Sequence, residues 1–467
     1  MPSRQDQLHS YQYSLQRVVA ALVTHDPDPH RSPLRRAGTT ALVSLVIAAL
    51  AVGAAAIYGL LTGNTTANMK DESVVYMEKG SGARYVYLAS DNRLHPVLNY
   101  ASGLLVANAQ APRMVTASRE RLASVPLGDP LGIPDAPDSL PVKKDLVTGD
   151  WTVCSAPPAV TSGATQPQST LIIGARATGG TILAAPDAPR GLLARDTAKP
   201  NRTYLLFGNR RFPIPASRET ASLRALGWNA QQPYPVSAGF INAVPVGPDL
   251  QAPRIDNLGA PSGVAGFRIG QLLTDGKQWS VAVADGAAAL TDVQARLLQA
   301  DRQIPPAINL GTAFNNVQGS KLRLAGGEGL PATVPELTEP RERACMTLPV
   351  GKESQAGLRI DPTVPTGAQM RGASAAPGGV QADFVYVPRG KGALVVAAAS
   401  PNAPAGTGTV SIVTDTATRY PIAGRDLLGR LGYGGVNPQQ VSSQMIAMLP
   451  QGPSLDAAKA RQAVTTG

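Results

Sequence analysis

The side chains that most often carry catalysis or hold metals are scarce in this chain. It has four histidines, His9, His25, His30 and His95, and two cysteines, Cys154 and Cys345. Three histidines precede a long apolar run, which leaves His95 alone beyond it. A zinc or other metal site needs clustered His and Cys ligands, and no His cluster or CxxC pair is present. A Ser-His-Asp triad would have to use His95 as its base. His95 sits before Pro96 at a predicted strand end, where two related segments carry Phe212 and Tyr420, so it reads as a packing residue. No GxxxxGK[ST] phosphate loop occurs. The Gly-rich pieces Gly326-Gly327-Glu328-Gly329 and Gly406-Thr407-Gly408 lack the following Lys and helix, and read as loops. No catalytic, cofactor-binding or metal-binding residue is assigned.

The two cysteines have one chemistry open to them, and it depends on compartment. Residues 37–61, AGTTALVSLVIAALAVGAAAIYGLL, contain no charge. A helix of about 20 apolar residues crosses a bilayer, and a helix satisfies its own backbone there. Arg31, Arg35 and Arg36 precede the run, whereas neutral residues follow it up to Lys70. This places the N-terminus in the cytoplasm and the body outside. The competing reading is a cleaved signal peptide cut near Ala54-Ala55-Ala56; the 36-residue leader and the length of the run weigh against it. Either way the cysteines lie in an oxidising compartment and read as a disulfide, with two buried free thiols as the alternative. Such a bond would make the segments near 154 and 345 neighbours.

The leader carries Leu8, Tyr11, Leu15, Val18, Val19 and Leu22 at helical spacing. This predicts an amphipathic helix of about five turns, ending before Asp26-Pro27. Alone in water such a helix is marginal. It should dock on a protein partner or, as the alternative, on the membrane surface. Beyond the run, about +8 of the formal +10 charge is spread over 406 residues with no tract of five like charges. That is a mixed solvated surface, and nucleic acid is not an expected partner. The length calls for more than one domain.

The outer body repeats itself. Phe212-Pro213-Ile214 answers Tyr420-Pro421-Ile422. Leu226-Gly227-Trp228 answers Leu431-Gly432-Tyr433. Pro245, Gly247, Pro248 and Leu250 answer Pro450, Gly452, Pro453 and Leu455. Weaker copies occupy residues 84–132 and 278–318, the latter with a blurred tail. Each copy reads as a β-hairpin, a helix stopped at Leu-Gly, a second short helix beginning after a Pro such as Pro438, and a closing Pro-x-Gly-Pro-x-Leu. Trp228 and Tyr433 share a position and read as repeat-core aromatics. The expected organisation is a cytoplasmic leader over 1–36 and a membrane helix over 37–61. A first repeat over 62–140 follows, then a second over 201–255. A linker and third repeat fill 256–334, and a fourth covers 406–467. Residues 141–200 and 335–405 form a β-rich core holding both cysteines. The fold class is thus a single-pass membrane protein with an elongated α+β outer region.

Three stretches carry a family resemblance. They are Asp91-Asn-Arg-Leu-His-Pro-Val-Leu-Asn-Tyr-Ala101, Leu131-Gly-Ile-Pro-Asp-Ala-Pro-Asp-Ser-Leu-Pro141, and Trp151-Thr-Val-Cys154. With the opening twelve residues, they resemble the EccB family of type VII (ESX) secretion systems over essentially the whole chain. The resemblance implies a cytoplasmic helix, one membrane helix, and a periplasmic region with a disulfide-stapled core and four repeats similar to a phage-lysin cell-wall-binding subunit. It implies an inner-membrane scaffold, self-associating, with the EccC motor ATPase, EccD, EccE and the mycosin protease as partners. Two alternatives stay open. One is a membrane-anchored peptidoglycan-binding module. The other is an ATP-hydrolysing component, as some family members are described.

Overall fold

The structure, a computed structural model, describes residues 3–25, 33–61, 68–158, 165–183, 189–198, 202–348, 357–365, 370–371, 380–398 and 408–464. The expectations that rest on Asp26-Pro27, residues 62–67 and Gly406-Thr407 fall outside them. The leader is one helix, Arg4–Thr24. A capping box starts it: the Ser3 hydroxyl accepts from the Asp6 N–H, and Ser3 N–H donates to the Asp6 carboxylate at 3.0 Å. It stops at His25, whose φ of 59° is left-handed. The second helix is Pro33–Leu61. Its segment Gly38–Gly59 has a mean hydropathy of 2.4 over 22 residues and is not buried inside the protein. At 1.5 Å per residue this spans about 33 Å, enough for a bilayer core.

Four sheets share one strand order, third–second–first–fourth, with the fourth strand parallel to the first. Unit I uses Val74–Glu78, Arg84–Leu88, Arg93–Val97 and Arg113–Ala117. Unit II uses Arg190–Asp196, Arg202–Phe207, Arg210–Ile214 and Tyr234–Val236. Unit III uses Leu272–Thr274, Trp279–Val283, Gly286–Leu290 and Ile308–Asn309. Unit IV uses Ala393–Ala398, Val410–Val413, Arg419–Pro421 and Gln439–Ser442. The parallel return of the fourth strand requires a crossover, and each unit has a short helix there, such as Asp292–Gln299 in unit III. Tight hairpins turn at residues that tolerate positive φ, including Asn92 and the Gly208-Asn209 pair.

Two expectations need correction. Arg190–Asp196 and Ala393–Ala398, read as core, are hydrogen-bonded as first strands into units II and IV. The stretch after Pro438 was expected to start a helix. It is instead the strand Gln439–Ser442, paired with Val395–Ala398, and the helix begins at Ser443. A ladder to a first strand more than 40 residues back overrides local helix propensity there.

Between the units lies a seven-stranded sheet. Its adjacent strands Trp151–Ala156 and Ala344–Leu348 run antiparallel with Cys154 directly opposite Cys345. The two form a disulfide. Side chains alternate along the strand. Trp151 and Val153 join Leu171 and Ile173 in the main core, and Cys154 and Cys345 join Ile172 on the other face. The main core is covered by Phe240 and Ile241 from unit II and by Met445 and Ile446 from unit IV. Unit I has Arg121 at the position of Phe240 and Met445, counted back from the Pro of each tail, which removes the apolar contact for docking on the core.

The units also pair with one another. Leu104, Leu105 and Leu131 of unit I share a cluster with Leu428, Leu431 and Tyr433 of unit IV. The C-terminal helix Ala457–Ala460 lies on Tyr100–Val106, and Val464 N–H donates to the Pro130 carbonyl at 2.9 Å. In the other pair, Val293 and Leu297 of unit III enter the cluster of Phe212, Leu226, Trp228 and Leu250. A disulfide across 191 residues lowers the entropy of the unfolded chain by the equivalent of about 5 kcal/mol at most. Replacing both cysteines by serine is expected to lower stability by about 2–5 kcal/mol, read as a drop in the denaturant midpoint. An unchanged midpoint would remove the staple from the energetics.

Candidate functional site: covered sheet edges and an uncovered helix

The residues with chemical potential are occupied structurally. His95 is buried. Its Nδ1 donates to the Asp129 carbonyl at 2.9 Å and its Nε2 pairs with Asp91 Oδ2 at 2.9 Å. Both ring nitrogens are engaged, so none is left to take a proton from a nucleophile. Gly326, Gly327 and Gly329 have φ near +77° and form a turn. Trp228 and Tyr433 are buried in their units, as expected. Burial pushes the Tyr433 phenol well above its ordinary range, and its hydroxyl donates to the Pro141 carbonyl at 2.9 Å. No group of three or more metal-ligating side chains occurs among the described residues.

What the repeat pattern builds is a lock on the edge of each sheet. In unit I, Leu94 N–H donates to the Pro126 carbonyl at 2.8 Å, and Gly128 N–H donates to the Leu94 carbonyl at 3.0 Å. Arg211 does the same with Pro245 and Gly247, and Arg419 with Pro450 and Gly452. The next residue on each edge is aromatic: His95, Phe212 or Tyr420. Each ring lies against the tail glycine. A Cβ on Gly247 would meet Phe212 Cε1 at 2.8 Å, and one on Gly128 or Gly452 would collide with His95 or Tyr420. Then comes Pro96, Pro213 or Pro421, which has no N–H to leave unpaired. Its carbonyl accepts from Leu131, Leu250 or Leu455 at 2.7–2.8 Å. These leucines are at most 4% exposed, and burying each contributes about 2 kcal/mol.

Unit III keeps the first pair of lock bonds, at Ala287, and departs at every point after it. By strand pairing, Ala288 holds the aromatic position and Ala289 the proline position. Its tail extends past residue 318, the expected end of the third copy. Val317-Gln318-Gly319-Ser320-Lys321-Leu322 carries the Gly-x-x-Leu signal that could have found it. The register is slipped by one residue, because Gly319 pairs with Ala287 where Leu127, Val246 and Gln451 pair in the others. Leu322 is left 52% exposed.

The leader is the other exposed apolar feature. Leu8, Tyr11, Leu15, Val18 and Leu22 are 49–75% exposed, while Val19 is half-buried and Ala20 buried. The structure thus brings Cys154 and Cys345 together and leaves most of the leader row uncovered.

Residues 1–466 match the family described as type VII secretion system ESX-1, transport TM domain B. The chain is 27% identical to the ESX-3 secretion system ATPase EccB3 of Mycolicibacterium smegmatis, over 98% of this chain and 91% of that protein. It is 28% identical to the ESX-5 secretion system ATPase EccB5 of Mycobacterium tuberculosis, over 98% and 93%. Among solved structures, a chain of an intact ESX-5 inner membrane complex superposes with a TM-score of 0.69 at 23% identity, covering 100% of this chain and 96% of that one. An EccB3 dimer from the ESX-3 core complex superposes with a TM-score of 0.63 at 25% identity, covering 83% and 100%.

The lock makes a matched pair of substitutions informative. Gly452→Ala is expected to destabilise by about 1–3 kcal/mol, because the Tyr420 ring must move. Gly319→Ala, with nothing within 4 Å of its Cβ, is expected to change stability by less than about 0.5 kcal/mol. Thermal unfolding of the two variants checks this, and equal shifts would contradict it.

Proposed function

The chain belongs to the EccB family of type VII secretion components, and from this premise we propose that it is a scaffold subunit of an ESX inner-membrane complex. Its apolar helix anchors it as a single-pass protein. Arg31, Arg35 and Arg36 hold the leader on the cytoplasmic side, and the disulfide core and its surrounding sheets stand in the periplasm. The oxidised cysteine pair fits that compartment. The relatives occur in an intact ESX-5 inner membrane complex and as an EccB3 dimer. By the same reading this chain self-associates and sits with the EccC motor ATPase, EccD, EccE and the mycosin protease. ATP hydrolysis, named for the relatives, is assigned to no residue here.

The observation that carries the proposal is the leader. A capped helix keeps five large apolar side chains in solvent on one side of a membrane anchor, while the mass of the chain lies on the other. Burying each of those side chains against a partner contributes about 1.5–3 kcal/mol. Leu8, Leu15 and Leu22, seven residues apart, lie on one face. Changing all three to Asp is expected to abolish recovery of the other subunits with this chain from detergent-solubilised membranes. Its unfolding midpoint should stay unchanged. Undiminished recovery would sink the docking role.

A further inference from the structure

Among the described residues the tail closes the edge of the third sheet at Ala287 alone, and we propose that a strand from a different polypeptide closes the rest. Ala287 is bonded on its outer side, donating to the Gln318 carbonyl and accepting from Ser320 N–H, both at 2.8 Å. Outward-facing groups recur every second residue along a strand, so Ala289 presents the next N–H and C=O. Among the described residues no hydrogen bond reaches them from the tail. Leu322 N–H, whose counterparts donate to the proline carbonyls, instead donates to the Ser320 hydroxyl at 2.9 Å. The tail leaves the edge at this point. A groove of about 600 Å³ opens beside Ala288 and Ala289, bordered by Lys321, Leu322, Arg323 and Glu328.

The sister units show what such a groove holds. Each is filled by an extended segment with a buried leucine, and each places an aromatic ring where unit III has Ala288. Each also has Pro at the position of Ala289, which removes the donor that would invite a further strand. Three changes thus coincide at one edge: a ring replaced by a methyl, a proline replaced by a residue with a free donor, and a leucine turned outward. Together they describe a site for β-strand addition, in which main-chain bonds give affinity and one side-chain pocket gives selectivity.

The occupant is an extended, leucine-bearing, acidic strand. The leucine fits the space over Ala288, and the acidity answers Lys321 and Arg323, which outnumber Glu328. The lock leucines of a second copy, Leu131, Leu250 and Leu455, are already buried in their own units and are not the inserted residue. The inference rests on the scaffold reading only in making the occupant another polypeptide. Peptide binding is measured on this chain alone, whereas the leader test measures recovery of a complex, so the two can fail separately.

The probe is the labelled, proline-free hexapeptide TEVLEV, an extended acidic strand with one leucine, titrated into the full chain in detergent. Saturable binding is expected. Replacing the peptide's leucine by alanine should weaken it about tenfold or more. Ala288→Phe, which fills the space, and Ala289→Pro, which removes the donor, should each weaken it to a similar extent. Hydrogen exchange at the Ala289 amide should be fast in the unbound chain and slowed by the peptide; this reading needs no variant to fold. Absence of saturable binding, indifference to the peptide's leucine, or an Ala289 amide already protected would each overturn the proposal. So would dissociation of a dimer by Ala288→Phe, which would make a second copy the occupant.

Discussion

The outer strand of a β-sheet presents a row of unpaired donors and acceptors, and how each such row is closed governs the rest of this protein. In three units the closure is made by the same short tail, and its parts depend on one another. The ring of His95, Phe212 or Tyr420 can lie flat only because a glycine faces it. The glycine can be held there only because its N–H is bonded to the edge strand. The leucine three residues on then falls into the unit's core. A short, polar-looking Pro-x-Gly-x-x-Leu segment thereby becomes part of the packing.

With their edges closed, the units bury their remaining apolar faces against one another and against the centre. Phe240 and Met445 put units II and IV on the stapled sheet. Unit I, with Arg121 at the matching position, is held by unit IV, and unit III is held by unit II through Val293 and Leu297. A small sheet needs an apolar face that is covered to be stable, and here each shares a core with a neighbour. The stapled strands are the one place where the two halves of the outer chain are joined covalently apart from the main chain.

Much of this was legible from residue types. Asp91-Asn92 and Gly208-Asn209 marked turns because few other residues accept positive φ. Gly227 and Gly432, both with positive φ, ended helices as expected. The apolar run and the leader followed from hydropathy and helical spacing. The first strands of units II and IV were not legible. Arg190–Asp196 and Ala393–Ala398 look like any Val- and Ala-rich stretch, and their identity lies in partners distant in sequence. The strand after Pro438 was missed for the same reason. Nothing in a periodic pattern says which neighbour will cover an apolar face, so the sharing of cores between units I and IV and between II and III emerged only in three dimensions. The incomplete lock of unit III was concealed by a one-residue slip, which turns a leucine from core to solvent while leaving its motif readable.

The bond from Val464 to Pro130 sets a load path. Unit I follows directly on the membrane helix, and the end of the described chain is fastened to that same unit. Tension arriving through the membrane helix is therefore shared by units I and IV side by side, as in two legs of a bracket, and passes from both into the stapled sheet. Unit II meets that load through the stapled sheet and through unit IV, and unit III meets it through unit II.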